Sequence, residues 1–174
     1  PPIRAPQQAA APSFSFGERV TLHDHRAQIV QPRVACALKS ASDCGPALDL
    51  DLHWSAATPP SENWTMVVQL VSPVPGGTEL RLNYNHWPGR GILPTSVWPA
   101  GEIIHDHYRI PLGEDTYTTR AWSVRVAFVD PQSGNRVPVR AGGEPSGDAA
   151  HLALLRVPDG NPRVPTEAGD GTLN

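Results

Sequence analysis

The chain has 174 residues, a formal net charge of -3 at pH 7, and a composition rich in turn-forming residues, with 20 prolines and 15 glycines. A chain of this length fits one domain with terminal extensions. It contains no basic stripe and no polybasic run, which argues against nucleic acid and anionic lipid as partners. Because proline can neither donate to a sheet ladder nor continue a helix, the composition predicts short strands joined by many turns.

The two ends of the chain differ in composition from its middle. Residues 1–13 are rich in Pro, Ala and Gln, and residues 158–174 are rich in Pro and Gly. We predict an extended arm at each end and one domain over residues 14–157. Segments of this composition become ordered only against another surface, so we expect the arms to dock on the domain or on a partner.

The two cysteines, Cys36 and Cys44, enclose a short, polar, turn-like segment. They have no CxxC spacing and no neighbouring His ligands, so they fit one disulfide better than a metal site. Because disulfides persist in oxidising compartments, this predicts a periplasmic or extracellular location.

Strand patterns follow one another along the domain. Residues 48–54 alternate apolar side chains with Asp, Asp and His, which predicts a half-buried strand with an acidic outer face. Residues 64–71 are almost continuously apolar, which predicts a central strand. Further strand patterns lie at residues 16–30, 79–83, 104–112, 122–128, 136–139 and 151–157. About eight strands without a helical period predict an all-β protein: a two-sheet antiparallel β-sandwich, jelly-roll-like in its connections.

Asp106 is the single carboxylate on an otherwise apolar strand face, between Ile104 and Tyr108. A buried carboxylate is costly unless it is paired or hydrogen-bonded. We therefore predict a structural role, with Asp106 accepting hydrogen bonds from backbone amides or hydroxyls of the preceding loop, at Thr95 or Ser96. Trp98, at the end of that loop, is expected to be a core anchor.

Four segments together resemble a known kind of domain: LHWSA, WTMVVQLVSP, NHWPGRGILPTSVWPAGEIIHDHYRIPL and VRVAFVDPQSGNRVPV. They are similar to the extracytoplasmic β-sandwich domain that follows the membrane helices of bacterial dolichyl-phosphate-mannose-type (membrane-embedded) glycosyltransferases and related uncharacterised membrane proteins. The resemblance implies a non-catalytic accessory module, since sugar transfer in such enzymes takes place among membrane helices. The chain departs from the family pattern at Asn85, where Asp is usual, and at Ala127, where Gly is common. If the family Asp binds a cation, Asn85 weakens that binding here.

A repeated His-Asp-His triplet suggests metal binding. On a regular strand the two histidines of each triplet, His23 with His25 and His105 with His107, share one face. If the two strands were neighbours, four imidazoles would converge on Zn or Cu. The alternative is that these histidines simply face solvent.

Tryptophans near polar side chains suggest sugar binding. Trp87 and Trp64 would offer flat apolar faces, and Asn85 and Arg90 would offer planar hydrogen-bonding groups. The alternative is that most tryptophans of the chain are core residues.

No motif indicates an enzyme, because GxSxG, P-loop and GxGxxG patterns are all missing from the sequence. We therefore expect a non-enzymatic accessory or interaction module without a cofactor. It would dock to a larger, membrane-associated protein assembly through its arms and residues 83–101. A carbohydrate-binding module and a Zn- or Cu-binding protein are the alternatives.

Overall fold

The computed structural model describes residues 13–30, 46–71, 80–112 and 121–156. Within these ranges one 3-10 turn lies at Thr95–Val97, and ten strands form. The strands are β1 (Phe14–Phe16), β2 (Val20–Val30), β3 (Ala47–Ala56), β4 (Thr65–Val71), β5 (Leu80–His86), β6 (Ile104–Pro111), β7 (Ala121–Val129), β8 (Val139–Ala141), β9 (Glu144–Pro145) and β10 (Ala150–Arg156).

The strands form two antiparallel sheets, as predicted for a β-sandwich. The larger sheet has the order β6-β3-β2-β1-β8-β9, and the smaller has the order β10-β7-β4-β5. The chain passes repeatedly from one sheet to the other, as it does in a jelly roll. Both β6 and β5 are edge strands, and residues 87–103 connect β5 to β6.

The core lies between the sheets and follows the predicted alternation. The even positions of β3 from Leu48 to Trp54 are fully buried, while its odd positions face outward. Trp54 meets Phe128 of the opposite sheet with ring centroids 5.4 Å apart. Phe16 packs on the same ring of Phe128 at 5.3 Å. These contacts join the two sheets through large aromatic side chains, each of which buries a large apolar area.

The apolar run in β4 occupies the central position predicted for it, between β7 and β5. Val67 and Val68 are both buried although they point to opposite faces. On the outer face, Val67 packs with Ala127 and Ala149 in a small second apolar cluster. The strand is therefore covered on both faces, which explains why its sequence does not alternate.

A β-bulge in β2 changes the predicted orientation of its histidines. The pairing with β3 passes from Leu22 opposite Trp54 directly to Asp24 opposite His53, so His23 is the extra residue. Beyond the bulge, His25 pairs with the buried Leu52. The prediction that His23 and His25 share a face is therefore wrong, because one inserted residue reverses the phase of the strand.

Several predictions concern residues outside the described ranges. These are the two terminal arms and the disulfide between Cys36 and Cys44.

Candidate functional site

The side of the sandwich that carries β5, β6 and their connection brings most of the candidate residues together. β6 begins directly after the connection and carries Asp106 and Tyr108 on its inner face. Both side chains are 2% exposed. The predicted burial of Asp106 thus agrees with the structure, and its partners must compensate for the loss of water.

The partners of Asp106 differ from those predicted. Its Oδ2 atom accepts hydrogen bonds from the amide of Gly89, at 3.0 Å, and from the hydroxyl of Tyr108. Thr95 and Ser96 are not its donors, because both bind the turn before β4 instead. Asp106 therefore holds the start of the 87–103 loop, not its centre.

Thr95, Ser96 and Trp98 hold the second half of the loop. The hydroxyl of Thr95 donates to the carbonyl of Glu62 at 2.9 Å and accepts from the amide of Trp64 at 3.0 Å. Ser96 donates to the Asn63 side chain at 2.5 Å. Trp98 is 2% exposed, and its indole donates to a loop carbonyl. Because these contacts fix both halves of the loop, its exposed side chains are held in defined positions.

Two titratable groups beside Asp106 have shifted pKa values. Burial is the main cause that raises the pKa of Tyr108 well above its ordinary value, so the phenol stays protonated and donates to Asp106. Burial likewise lowers the pKa of His86, whose ring stacks on Tyr108 with centroids 5.0 Å apart. His86 Nδ1 lies 2.6 Å from the carbonyl of Trp87, which fits a neutral ring protonated at Nδ1.

The 87–103 loop concentrates exposed apolar side chains. Among the described residues, five large hydrophobic side chains are exposed, and four of them lie in this loop. Those four are Trp87 at 41%, Ile92 at 84%, Val97 at 62% and Ile103 at 57%. Single exposed apolar residues are normal on protein surfaces, whereas several in one fixed loop are typical of an interaction surface.

A cleft of about 300 Å³ lies beside this loop, between the edges of the two sheets. Tyr84 of β5 and Arg90 of the loop line it on one side. Tyr108 and the last three residues of β6, Arg109 to Pro111, line the other side. The cleft therefore combines two tyrosines with two arginines, of which Arg109 is at an exposed position of β6.

The predicted sugar-binding residues separate into two groups. Trp87, Asn85 and Arg90 are exposed on this side of the molecule. Trp64 is only 7% exposed and packs in the core against Phe128, with ring centroids 5.9 Å apart. Trp64 therefore offers no face to a ligand, which corrects its prediction as a sugar-binding residue.

The four predicted metal-binding histidines do not converge. β3 lies between β2 and β6, so the two triplets are on strands that do not pair. His23 Nε2 lies 2.7 Å from the Ser55 hydroxyl, on the outer face. His25 Nε2 lies 3.0 Å from the carbonyl of Leu152, across the sandwich. The four-histidine site expected from neighbouring strands is not formed.

His105 and His107 instead share a carboxylate on the outer face of β3. His107 Nδ1 lies 2.8 Å and His105 Nε2 lies 3.2 Å from Oδ1 of Asp51. The ring of His105 also stacks on His53 with centroids 4.6 Å apart. The hydrogen bond from His107 is the main cause that lowers the pKa of Asp51. The sequence predicted only an acidic outer face for this strand and not the partners of Asp51, because the pairing of β3 with β6 is not visible in either strand alone.

Within the described residues, no group of three or more His, Cys, Asp or Glu side chains is arranged to hold a metal ion. In those same ranges, no helix has the length and apolar character needed to cross a bilayer.

Comparison with known proteins gave no match to a family model, to a curated protein or to a solved structure. The resemblance to the glycosyltransferase-associated domain therefore stays a prediction.

Trp87 and Arg90 were predicted as site residues from the sequence, whereas the other exposed apolar residues of the loop and the other residues of the cleft were not. Ile92, Val97 and Ile103 stand among prolines and glycines, without a period that would assign them to a face. Tyr108 lies two residues after Asp106, on the same strand face, and this spacing could have identified it as a hydroxyl donor. Tyr84 and Arg109 come together only because their strands end the two sheets on the same side.

Proposed function

We propose that this protein is a non-catalytic interaction module that docks on a protein partner through the 87–103 loop. The observation that carries the proposal is that four of the five exposed large hydrophobic side chains among the described residues lie in that loop. Apolar side chains on a fixed surface favour association, because little conformational freedom is lost when the partner binds.

The contacts of the loop support this role. The Gly89 amide on Asp106, the Thr95 hydroxyl between Glu62 and Trp64, and the Gly101 amide on the Ala56 carbonyl at 2.8 Å fix the loop at three points. Between these points Ile92 and Val97 extend into solvent. The partner that fits such a surface is a protein with an apolar recess.

The resemblance described above favours an extracytoplasmic setting, in which the partner belongs to a larger membrane-associated assembly. The terminal arms are proposed as additional docking segments because of their composition. Docking through the 87–103 loop or through the terminal arms requires no cofactor.

Site-specific crosslinking followed by affinity measurement tests the proposal. A photoreactive benzoylphenylalanine is placed at residue 92 and, as the control, at residue 154 on the far edge strand β10. Leu154 is a suitable control because it is also exposed, at 62%. The protein captured from residue 92 in the native host is then purified, and its Kd for the unlabelled chain is measured.

The decisive comparison uses Ile92→Ser, Val97→Ser and Ile103→Ser together. We expect Kd to rise at least about tenfold, since truncation of central apolar residues at an interface commonly costs more than about 1.4 kcal/mol. Leu154→Ser should leave Kd unchanged. Equal Kd values for the triple variant and the wild type, or equal capture of the same protein from residue 154, would contradict the proposal.

Sugar binding is a second candidate, favoured by the 41% exposure of Trp87 beside exposed Asn85. A tryptophan face with a neighbouring amide is a common arrangement for carbohydrate recognition. We expect glycan-array binding that disappears in Trp87→Ala and persists in Ile92→Ser. An array without any bound glycan would exclude this candidate.

A further inference from the structure

The cleft between β5 and β6 indicates which kind of segment of the protein partner binds beside the docking loop. The cleft has a volume of about 300 Å³ and continues directly from the docking loop, since Arg90 belongs to both. Among the described strands, β5 and β6 are the last of their sheets on this side, so none of those strands covers the cleft.

The charged groups that line the cleft are both cationic. Arg90 uses Nε to donate to the carbonyl of His107 at 3.3 Å. In the part of the chain that the structure describes, neither its terminal nitrogens nor the guanidinium of Arg109 has an acidic partner. Two carboxylates lie close by: Asp106 is buried and already accepts hydrogen bonds from Gly89 and Tyr108, and Asp49, which pairs with Arg109 across the ladder, contacts His107 and Gln28 instead. The cleft is therefore complementary to an added carboxylate.

The backbone of Arg90 indicates that its position is specified by the fold. Its φ is 59°, which is unfavourable for a residue with a Cβ, and Gly89 and Gly91 on either side also have positive φ values. The Arg90 amide lies 3.5 Å from the Tyr108 hydroxyl, which joins the turn to the Asp106 contacts. Such a conformation persists only where surrounding contacts determine it, and it is common at binding sites.

The edge of β6 favours an extended segment as the occupant. The carbonyl of His107 points away from β3, because it accepts from Arg90. In an antiparallel ladder the outward groups recur at every second residue, so the backbone N–H and C=O of Arg109 also face outward. Pro111 has no N–H, and Arg90 occupies the edge at His107. The open edge is therefore short and centred on Arg109, beside the apolar surfaces of Tyr84 and Ile110.

We infer that this cleft binds an extended acidic segment of the protein partner. The segment pairs with the backbone of Arg109 as a short added strand and places a carboxylate between the guanidiniums of Arg90 and Arg109. The inference rests on the proposed function, because it assigns the cleft to the partner that docks on the loop.

The test adds each of two blocked pentapeptides, acetyl-VDVEV-amide and acetyl-VKVKV-amide, to the full chain. Binding is monitored through the backbone amide resonances by NMR. We expect the acidic peptide to shift the amide resonances of Tyr84 and Arg109 and the lysine peptide to leave them in place. Arg90→Gly with Arg109→Gln should raise Kd at least about tenfold, the equivalent of one charge-assisted hydrogen bond. Glycine at residue 90 adopts the same left-handed conformation without the steric cost of a Cβ, so this variant is expected to fold.

Arg156→Gln is the matched control, because Arg156 is exposed on β10 at the opposite edge of the smaller sheet. It removes one positive charge and should leave Kd unchanged. Equal binding of the two peptides, unchanged binding by the double variant, or no shift at millimolar acidic peptide would overturn the inference. Equal shifts from free glucuronate would also overturn it and would assign the cleft to a small acid instead.

The outcomes separate the two proposals. If the triple serine variant of the loop loses the partner while Arg90→Gly with Arg109→Gln retains it, the docking function stands and the cleft inference fails. If both sets of substitutions leave the partner bound, the docking function itself fails.

Discussion

Asp106 stabilises the fold through the two donors that it satisfies. The Gly89 amide and the Tyr108 hydroxyl both bind its Oδ2 atom, in surroundings that exclude water. Removing the carboxylate leaves the buried Tyr108 hydroxyl and the half-buried Gly89 amide without this acceptor, and an unsatisfied buried group costs about 1–3 kcal/mol.

We therefore expect Asp106→Ala to lower the free energy of unfolding by about 2–4 kcal/mol, measured by urea denaturation. Asp148→Ala is the control, because that side chain is 66% exposed and its contact with Arg136 is a surface ion pair. The control should change stability by less than about 0.5 kcal/mol. An Asp106→Ala protein as stable as the control would show that the carboxylate does not hold the loop.

The sequence predicted the burial of Asp106 but not its partners, for a physical reason. Burial follows from strand alternation, which is a local property and is visible between Ile104 and Tyr108. The position of the Gly89 amide depends on successive left-handed conformations at residues 89 to 91. Because glycine adopts positive and negative φ values with similar ease, the sequence alone does not determine these conformations. For this reason the sequence predicted the wrong hydrogen-bond donors, Thr95 and Ser96, for Asp106.

At the scale of the element, the bulge in β2 decides which histidines face outward. His23 is the inserted residue, and beyond it His25, Ala27 and Ile29 share the inner phase, with Ala27 and Ile29 packed against the core. Four consecutive polar residues, 23 to 26, hide the insertion, because without an apolar residue the sequence does not show which side chains point inward. The strands β3, β6 and β7 were predicted well because buried and outward-facing positions alternate along most of each strand.

Two single-residue deletions in β2 should therefore have different effects. Deleting His23 removes the bulge and leaves Asp24 opposite His53, so we expect a loss of about 1 kcal/mol or less. Deleting Arg26 reverses the phase of the strand after it and turns Ile29 outward and Gln28 inward.

For the Arg26 deletion we expect a loss of more than about 2 kcal/mol, since Ala27 and Ile29 leave the inner face and the polar Gln28 and the smaller Val30 take their places. Urea denaturation of both variants measures the difference. Equal losses for the two deletions would mean that the bulge does not set the phase of β2.

At the scale of the whole molecule, stability should decrease in acid in two steps. Burial is the main cause that lowers the pKa of His86 below 6.5; partial desolvation and the charge of Arg125 lower the pKa of His151, an exposed residue. Near pH 6.5 the unfolded chain therefore binds protons that the folded chain does not bind, and stability falls as the pH decreases through this range. The hydrogen bond from His107 lowers the pKa of Asp51 below 3.8. Its stabilisation is present above pH 3.8 and is lost as the pH falls through the folded-state value.

Melting temperatures measured by circular dichroism from about pH 8 to about pH 3 test both steps. Replacing His86 and His151 with Gln should flatten the curve just below pH 6.5 and leave the more acidic step in place. Asp51→Asn should flatten only the step below pH 3.8. The control is His23→Gln, an exposed position on the bulge, which should keep both steps. If the melting temperature of the double histidine variant falls below pH 6.5 as steeply as that of the wild type, other groups cause the first step. In that case the packing of His86 on Tyr108 does not make the loop sensitive to acid.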